Sequence, residues 1–172
     1  FTFIGHSYTI PVGGTQNISA NSIVTGLNKT GAGGTVLMMT SNGSSISAAT
    51  VNHNNNNFSN ITVTGSSALT GISNTDGLSG ITYGRTVTGN IMNNWTGGTG
   101  AVIGISYSYW GGVATLSNNT VTNLTGQAAV TGIVLNASGN AANPLTISGN
   151  TVSNLSSTGT GGAVVGIGCS NT

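Results

Sequence analysis

Polar and apolar positions alternate over short stretches of this chain, and the same stretch keeps returning. Residues 145–155 read LTISGNTVSNL and residues 114–124 read ATLSNNTVTNL. Residues 85–95 read RTVTGNIMNNW, 51–61 read VNHNNNNFSNI, and a looser copy, QNISANSIVTGL, occupies 16–27. Aligned, the copies place Asn21, Asn56, Asn90, Asn119 and Asn150 in one column. Four residues on, Asn60, Asn94, Asn123 and Asn154 form a second column, with Thr25 in that place in the first copy. Ile18, Val87, Leu116 and Ile147 form an apolar column on one side of the first asparagine, His53 being the exception. On the other side stand Ile23, Phe58, Met92, Val121 and Val152. A second motif closes each unit: Ala163-Val164-Val165-Gly166-Ile167 matches 129–133, 101–105 and 68–72, and 35–39 is a version without the glycine. Its last apolar residue falls at 4, 39, 72, 105, 133 and 167, a period of 28 to 35 residues. A period of that size is the mark of a solenoid.

Local chemistry decides which solenoid. Helical repeats need runs of Ala, Leu, Glu and Lys, whereas β-branched residues, Gly and Asn dominate here. Thr146-Ile147-Ser148 and Thr120-Val121-Thr122 alternate at period two, as strands with one buried face do. Gly and Asn between them supply the positive φ of sharp corners. The pattern predicts an all-β fold, a right-handed parallel β-helix of about five rungs of 28–35 residues, forming one segment over 1–172. Like residues then stack over like, with apolar columns inside and asparagine amide ladders at the bends. Strict alternation cannot turn both Val164 and Ile167 inward, so Gly166 predicts a bend or bulge. Phe3-Ile4-Gly5-His6-Ser7 resembles Gly166-Ile167-Gly168-Cys169-Ser170, so both ends sit at one phase of the repeat. The expectation is a unit of a longer array or of a fibre.

Composition narrows the chemistry. Only Lys29, Arg85 and Asp76 carry fixed charge, 2% of 172 residues, and Glu is absent; soluble domains usually carry about 25%. In their place stand 29 Gly, 27 Thr, 23 Asn and 21 Ser. Catalysis by paired carboxylates, a carboxylate metal cage and a basic nucleic-acid stripe are thereby disfavoured. A net charge of +1 gives no field for nucleic acid or an anionic membrane surface. The mean hydropathy of +0.19 allows a core, while runs such as Val36 to Met39 fall far short of the ~20 apolar residues that span a bilayer. The single Cys169 reads as a small buried apolar residue.

Few residues are candidates for a site. Tyr107, Tyr109 and Trp110 cluster after the third closing motif and could form an aromatic shelf for glycans, since a flat ring covers the apolar face of a sugar. Against this, Trp95 takes the column of Leu124 and Leu155, and the Tyr-Trp segment can simply pack over its own rung. His6 and His53 lack an evident third metal ligand, and Asp76 and Arg85 could form an ion pair worth little if exposed. No cofactor is implied. Thr-x-Thr pairs at Thr62/Thr64, Thr86/Thr88, Thr120/Thr122 and Thr158/Thr160 raise ice binding, but they fall at different offsets from the asparagine column. Ten N-x-S/T sequons, among them Asn17, Asn28, Asn118, Asn136 and Asn154, suit glycosylation in a secretory pathway.

The stretch ISGNTVSNLSSTGTGGAVVGI resembles the repeat of large secreted right-handed parallel β-helix proteins of bacterial surfaces, most closely over 114–167. That resemblance implies an extracellular or cell-surface adhesin, sheath or fibre component, and carries over no catalytic residue. The expectation is therefore a non-enzymatic structural protein that self-associates end to end, with glycans or a cell-surface matrix as further partners and neither nucleic-acid binding nor membrane insertion. A carbohydrate-binding module on the Tyr107, Tyr109, Trp110 shelf and an ice-binding protein are the alternatives.

Overall fold

The computed structural model describes residues 1–43, 48–76, 84–138 and 145–171. Short alternating segments of β-branched residues form strands, and asparagine or glycine turns the chain between them. After β1 (Thr2–His6) come five turns. The first holds β2 (Thr15–Asn17), β3 (Ser22–Ile23), β4 (Leu27–Lys29) and β5 (Thr35–Ser41). The second holds β6 (Thr50–Asn52), β7 (Asn57–Val63) and β8 (Ala68–Asn74); the third holds β9 (Gly84–Thr88), β10 (Ile91–Thr96) and β11 (Val102–Gly111). The fourth holds β12 (Ala114–Ser117), β13 (Thr120–Gly126) and β14 (Val130–Ser138), and the fifth β15 (Leu145–Ser148), β16 (Thr151–Ser157) and β17 (Val164–Asn171).

Each strand pairs in parallel with its counterpart one turn away. The first sheet runs β2-β6-β9-β12-β15, and the second β3-β7-β10-β13-β16 with β4 also on β7. The third runs β1-β5-β8-β11-β14-β17. Three stacked parallel sheets wound by one chain make a parallel β-helix of about five turns, and the described residues contain no helix.

The register puts the aligned residues side by side. Val36, Leu69, Val102, Val130 and Val164 form one inward column, and Met39, Ile72, Ile105, Ile133 and Ile167 the next. The second sheet supplies Ile23, Phe58, Met92, Val121 and Val152, and then Leu27, Ile61, Trp95, Leu124 and Leu155. Members of the three middle turns are 0–1% exposed. The corner between first and second sheets is made by Ala20, Asn55, Gly89, Asn118 and Gly149, all at φ between 55° and 68°. Asparagine and glycine tolerate that left-handed conformation better than other residues.

The closing motif solves its alternation problem at the glycine. Val102 and Ile105 are both fully buried. A Cβ on Gly104 would lie 2.5 Å from the Gly132 carbonyl oxygen and 2.7 Å from Val121 Cγ1. Positions 104 and 105 therefore both turn toward the core, and only a residue without a side chain fits the first of them. In Gly71 the same space is taken by the Trp95 ring, 2.8 Å from where a Cβ would stand. At Gly166, in the last turn, no atom lies within 4 Å of that position. Urea unfolding should show Gly104→Val destabilised by about 1–3 kcal/mol through overpacking, and Gly166→Ala unchanged to within about 0.5 kcal/mol. Equal effects of the two would contradict this packing.

Candidate functional site

The inner asparagines are bonded to one another through the length of the stack. The Asn56 backbone N–H and Nδ2 both donate to Asn90 Oδ1 at 3.0 Å, and those of Asn90 donate to Asn119 Oδ1 at 2.9 Å. Asn21 makes the same pair of bonds to Asn56, and Asn119 to Asn150. Each amide also donates back to the preceding turn: Asn56 to the Ile18 carbonyl, Asn90 to His53, Asn119 to Val87 and Asn150 to Leu116. In the three middle turns every hydrogen-bonding capacity of the side chain is thus used, at 0% exposure. The asparagine-to-asparagine bonds all run in one direction along the axis, and the bonds to the carbonyls run the opposite way.

The second column lies outside. Asn60, Asn94, Asn123 and Asn154 have φ of 53–60° and are exposed on the surface of the second sheet. Asn94 Nδ2 donates to Asn60 Oδ1 at 2.7 Å and Asn154 Nδ2 to Asn123 Oδ1 at 3.0 Å, whereas Asn123 Nδ2 reaches Asn93 instead. The first turn has one residue more here, which splits β3 from β4. Gly26, at φ 117°, rather than Thr25, takes the left-handed position.

Five titratable side chains, His6, His53, Asp76, Arg85 and Tyr107, are gathered in the interior, at the corner where the third sheet meets the first. One inward column of the third sheet reads His6, Ser41, Asn74 and Tyr107 before turning apolar at Leu135. Gln16, His53 and Arg85 face it from the first sheet side, and Asp76 lies just past Asn74. All eight are at most 8% exposed. The His53 ring bonds Gln16 Oε1 at 2.7 Å through Nε2 and the Tyr107 hydroxyl at 2.6 Å through Nδ1. An amide oxygen only accepts, so Nε2 carries the proton and Tyr107 donates to Nδ1. Gln16 Nε2 donates on to Ser41 Oγ at 3.4 Å, and Ser41 donates to Asp76 Oδ2. His6 Nδ1 meets Ser41 Oγ at 3.1 Å, and Asn74 Nδ2 donates to Asp76 Oδ2 at 3.0 Å. Arg85 Nη2 donates to the Asp76 carbonyl at 2.9 Å, with its guanidinium 6.0 Å from the Tyr107 ring centre.

Burial governs how these groups ionise. It holds His53 down at about 3, helped by the Arg85 and His6 charges. It raises the Asp76 carboxyl above its usual range, against the hydrogen bonds from Ser41 and Asn74. Arg85 comes down to about 10 by burial, and the Tyr107 hydroxyl is pushed up by burial. Ser41 stands between imidazole and carboxylate here, whereas a serine nucleophile needs the imidazole between itself and the acid. Among the described residues no three His, Cys, Asp or Glu lie together as metal ligands.

Two expectations require correction. The aromatic shelf is not an exposed face: Tyr107 is 1% and Trp110 0% exposed, and Tyr109 alone faces outward at 37%. An extra residue between Tyr107 and Trp110 shifts the register against β14. That bulge turns Trp110 inward, where its ring meets Tyr107 edge-on at 5.0 Å. Asp76 and Arg85, whose exposure the sequence left open, are buried; Gly77, in the same loop, lies outside the described residues. Cys169 is exposed, since it belongs to an inward column but no turn stacks over it in the last coil. Trp95 does stand in the column of Leu124 and Leu155, donating from Nε1 to the Phe58 carbonyl at 2.8 Å.

No protein-family model matches the chain, and no curated protein or solved structure is significantly similar to it.

Replacing Asn90 by Ala strands the Asn56 N–H and the His53 carbonyl in the core and leaves the Asn56 amide only its bond to the Ile18 carbonyl. At about 1–3 kcal/mol for each orphaned group, urea unfolding should register a loss of roughly 2–6 kcal/mol. Asn94→Gly keeps the left-handed backbone and should cost about 1 kcal/mol or less. The pH dependence follows from His53. Its folded pKa of about 3 lies below the ordinary 6.5, so the unfolded chain binds the proton that the folded chain refuses. Stability is therefore complete above pH 6.5 and falls below it by up to about 1.4 kcal/mol per pH unit. Asp76 acts with the opposite sign, cancelling that slope once the folded carboxyl takes up its own proton. Urea midpoints at pH 7 and pH 5.5 should differ in the native chain and converge in His53→Gln.

Proposed function

We propose that this chain is a non-enzymatic extracellular structural segment, a fibre, sheath or adhesin component whose stack is continued by further turns of the same kind. The observation that carries this reading is that one asparagine ladder and the same apolar columns recur in turn after turn. Leu69, Val102 and Val130 fall in one column and Ile72, Ile105 and Ile133 in the next, all at 0% exposure. Parallel strands that pair at one height per turn form a template for another rung. The ladder adds polarity: its donors point from each turn to the next, so a following turn must bring an asparagine oxygen to Asn150, as Asn21 of a second copy would.

Two further observations support a structural role. Asp76, Arg85, His53 and Tyr107 are spent on interior bonds, leaving Asn, Thr and Ser to dominate the outer faces. With so little like-charge repulsion, such faces can approach one another closely. The extracellular placement rests on the resemblance of the repeat to bacterial surface β-helix proteins. The glycan-module alternative loses its basis with the burial of Tyr107 and Trp110.

Electron microscopy of the purified chain at neutral pH tests the reading. Filaments with an axial repeat of about 24 Å, five rungs at ~4.8 Å, are expected, and Ile167→Lys should shorten or abolish them by placing charge on the apolar end. Discrete particles at every concentration would overturn self-assembly.

A further inference from the structure

The outward face of the first sheet carries two ranks of small polar side chains in register. Thr86, Thr115 and Thr146 stand side by side, and Asn52 and Asn17 continue the rank toward the first turn. Thr88, Ser117 and Ser148 form the second rank, two residues along each strand. Between the ranks Val87 and Leu116 point inward at 0% exposure, so the hydroxyl-bearing residues point out. Every member is at least partly exposed, and none is charged. Thr88 Oγ1 and Ser117 Oγ lie 3.2 Å apart, which ties neighbouring turns together along the rank. Of the Thr-x-Thr pairs noted in the sequence, Thr86/Thr88 alone belongs to this face. Thr120/Thr122 lies on β13 in the second sheet, and the array is completed by Thr-x-Ser at 115/117 and 146/148.

A single hydroxyl gains little by binding water, because liquid water offers it the same bond. A rigid array is different: hydroxyls repeating at ~4.8 Å from turn to turn and ~6.6 Å along each strand hold many waters in fixed relation at once. Only a ligand that is itself periodic in two dimensions collects that benefit. Threonine suits the task, since its branched side chain is stiff at χ1 and sets a methyl beside each hydroxyl. We propose that this face binds the surface of ice. A second copy of the chain fits worse: five strands by about three residues offer roughly 24 × 10 Å, about 240 Å², against the ~800 Å² per partner of a stable interface. A crystalline polysaccharide fits worse too, because the two ranks contain no aromatic ring to cover a sugar face. The proposal is independent of end-to-end assembly, as the face is present in each five-turn segment.

The test is freezing-point hysteresis and ice-crystal shape with the purified chain. The native protein should open a gap between melting and freezing and produce faceted crystals. Thr115→Lys, in the middle of the face, should lose both, and Thr146→Lys, in the exposed last turn, should weaken both. Thr122→Lys, on the second sheet, should leave them unchanged, with circular dichroism showing each variant folded. A folded native protein without hysteresis or crystal shaping overturns the proposal. So does a folded Thr115→Lys as active as the native chain, or retention on microcrystalline cellulose with none on ice. Because hysteresis is read on filaments and particles alike, its failure is distinct from failure of self-assembly.

Discussion

The inner asparagine ladder sets the register on which everything else in this molecule depends. A parallel coil can slip by one residue at modest cost to its backbone hydrogen bonds, but a one-residue slip turns every side chain to the opposite face. Asn56, Asn90 and Asn119 forbid it. Each is buried, each has its donors and its acceptor filled, and each needs an asparagine at one height in the next turn. With that column fixed, Val87 falls over Leu116 and Met92 over Val121, and the core follows. The turns vary in length from 28 to 35 residues because the loops absorb the difference while the column does not.

The same economy explains the electrostatics. A core built from one residue type per column leaves an irregular corner in the first three turns, where His6, Ser41, Asn74 and Tyr107 replace the leucine of the fourth. Arg85 and Asp76, two of the three fixed charges of the chain, are drawn into that corner, where a carbonyl accepts from Arg85 and a hydroxyl and an amide donate to Asp76. What remains outside is nearly free of charge. An uncharged exterior with straight ranks of hydroxyls and amides is a poor acid–base apparatus and a good repetitive surface. The proposals of a structural stack and of a face for ice both draw on that property.

The fold was legible in the sequence because a stacked solenoid repeats its chemistry at fixed phase. Asn21, Asn56, Asn90, Asn119 and Asn150 align in the chain for the physical reason that they touch in space. The local irregularities were not legible. The bulge between Tyr107 and Trp110 occurs in one turn, so no neighbouring copy signals it, and alternation alone misplaces Trp110. The polar corner draws on Gln16, Ser41 and Asn74, which are ordinary in a chain so rich in polar residues. The inward direction of Ser41 and Asn74 could have been traced by extending the closing motif two residues beyond its last apolar residue, through positions 41, 74 and 107. Arg85 likewise sits between Val51 and Ala114 in a column that runs from Gln16 to Leu145 and has no common residue type to mark it. The hydroxyl face was hidden because a search for threonine alone passes over Ser117 and Ser148.

The most direct test of the ladder as the organising constraint is hydrogen exchange of the asparagine side-chain amides, resolved residue by residue by NMR. Asn56, Asn90 and Asn119 should be protected as strongly as the backbone amides of the central strands, while Asn94, Asn123 and Asn154 exchange rapidly in the same sample. Equal and rapid exchange in both columns would contradict the account, because the inner amides would then be open to water and unable to hold the register.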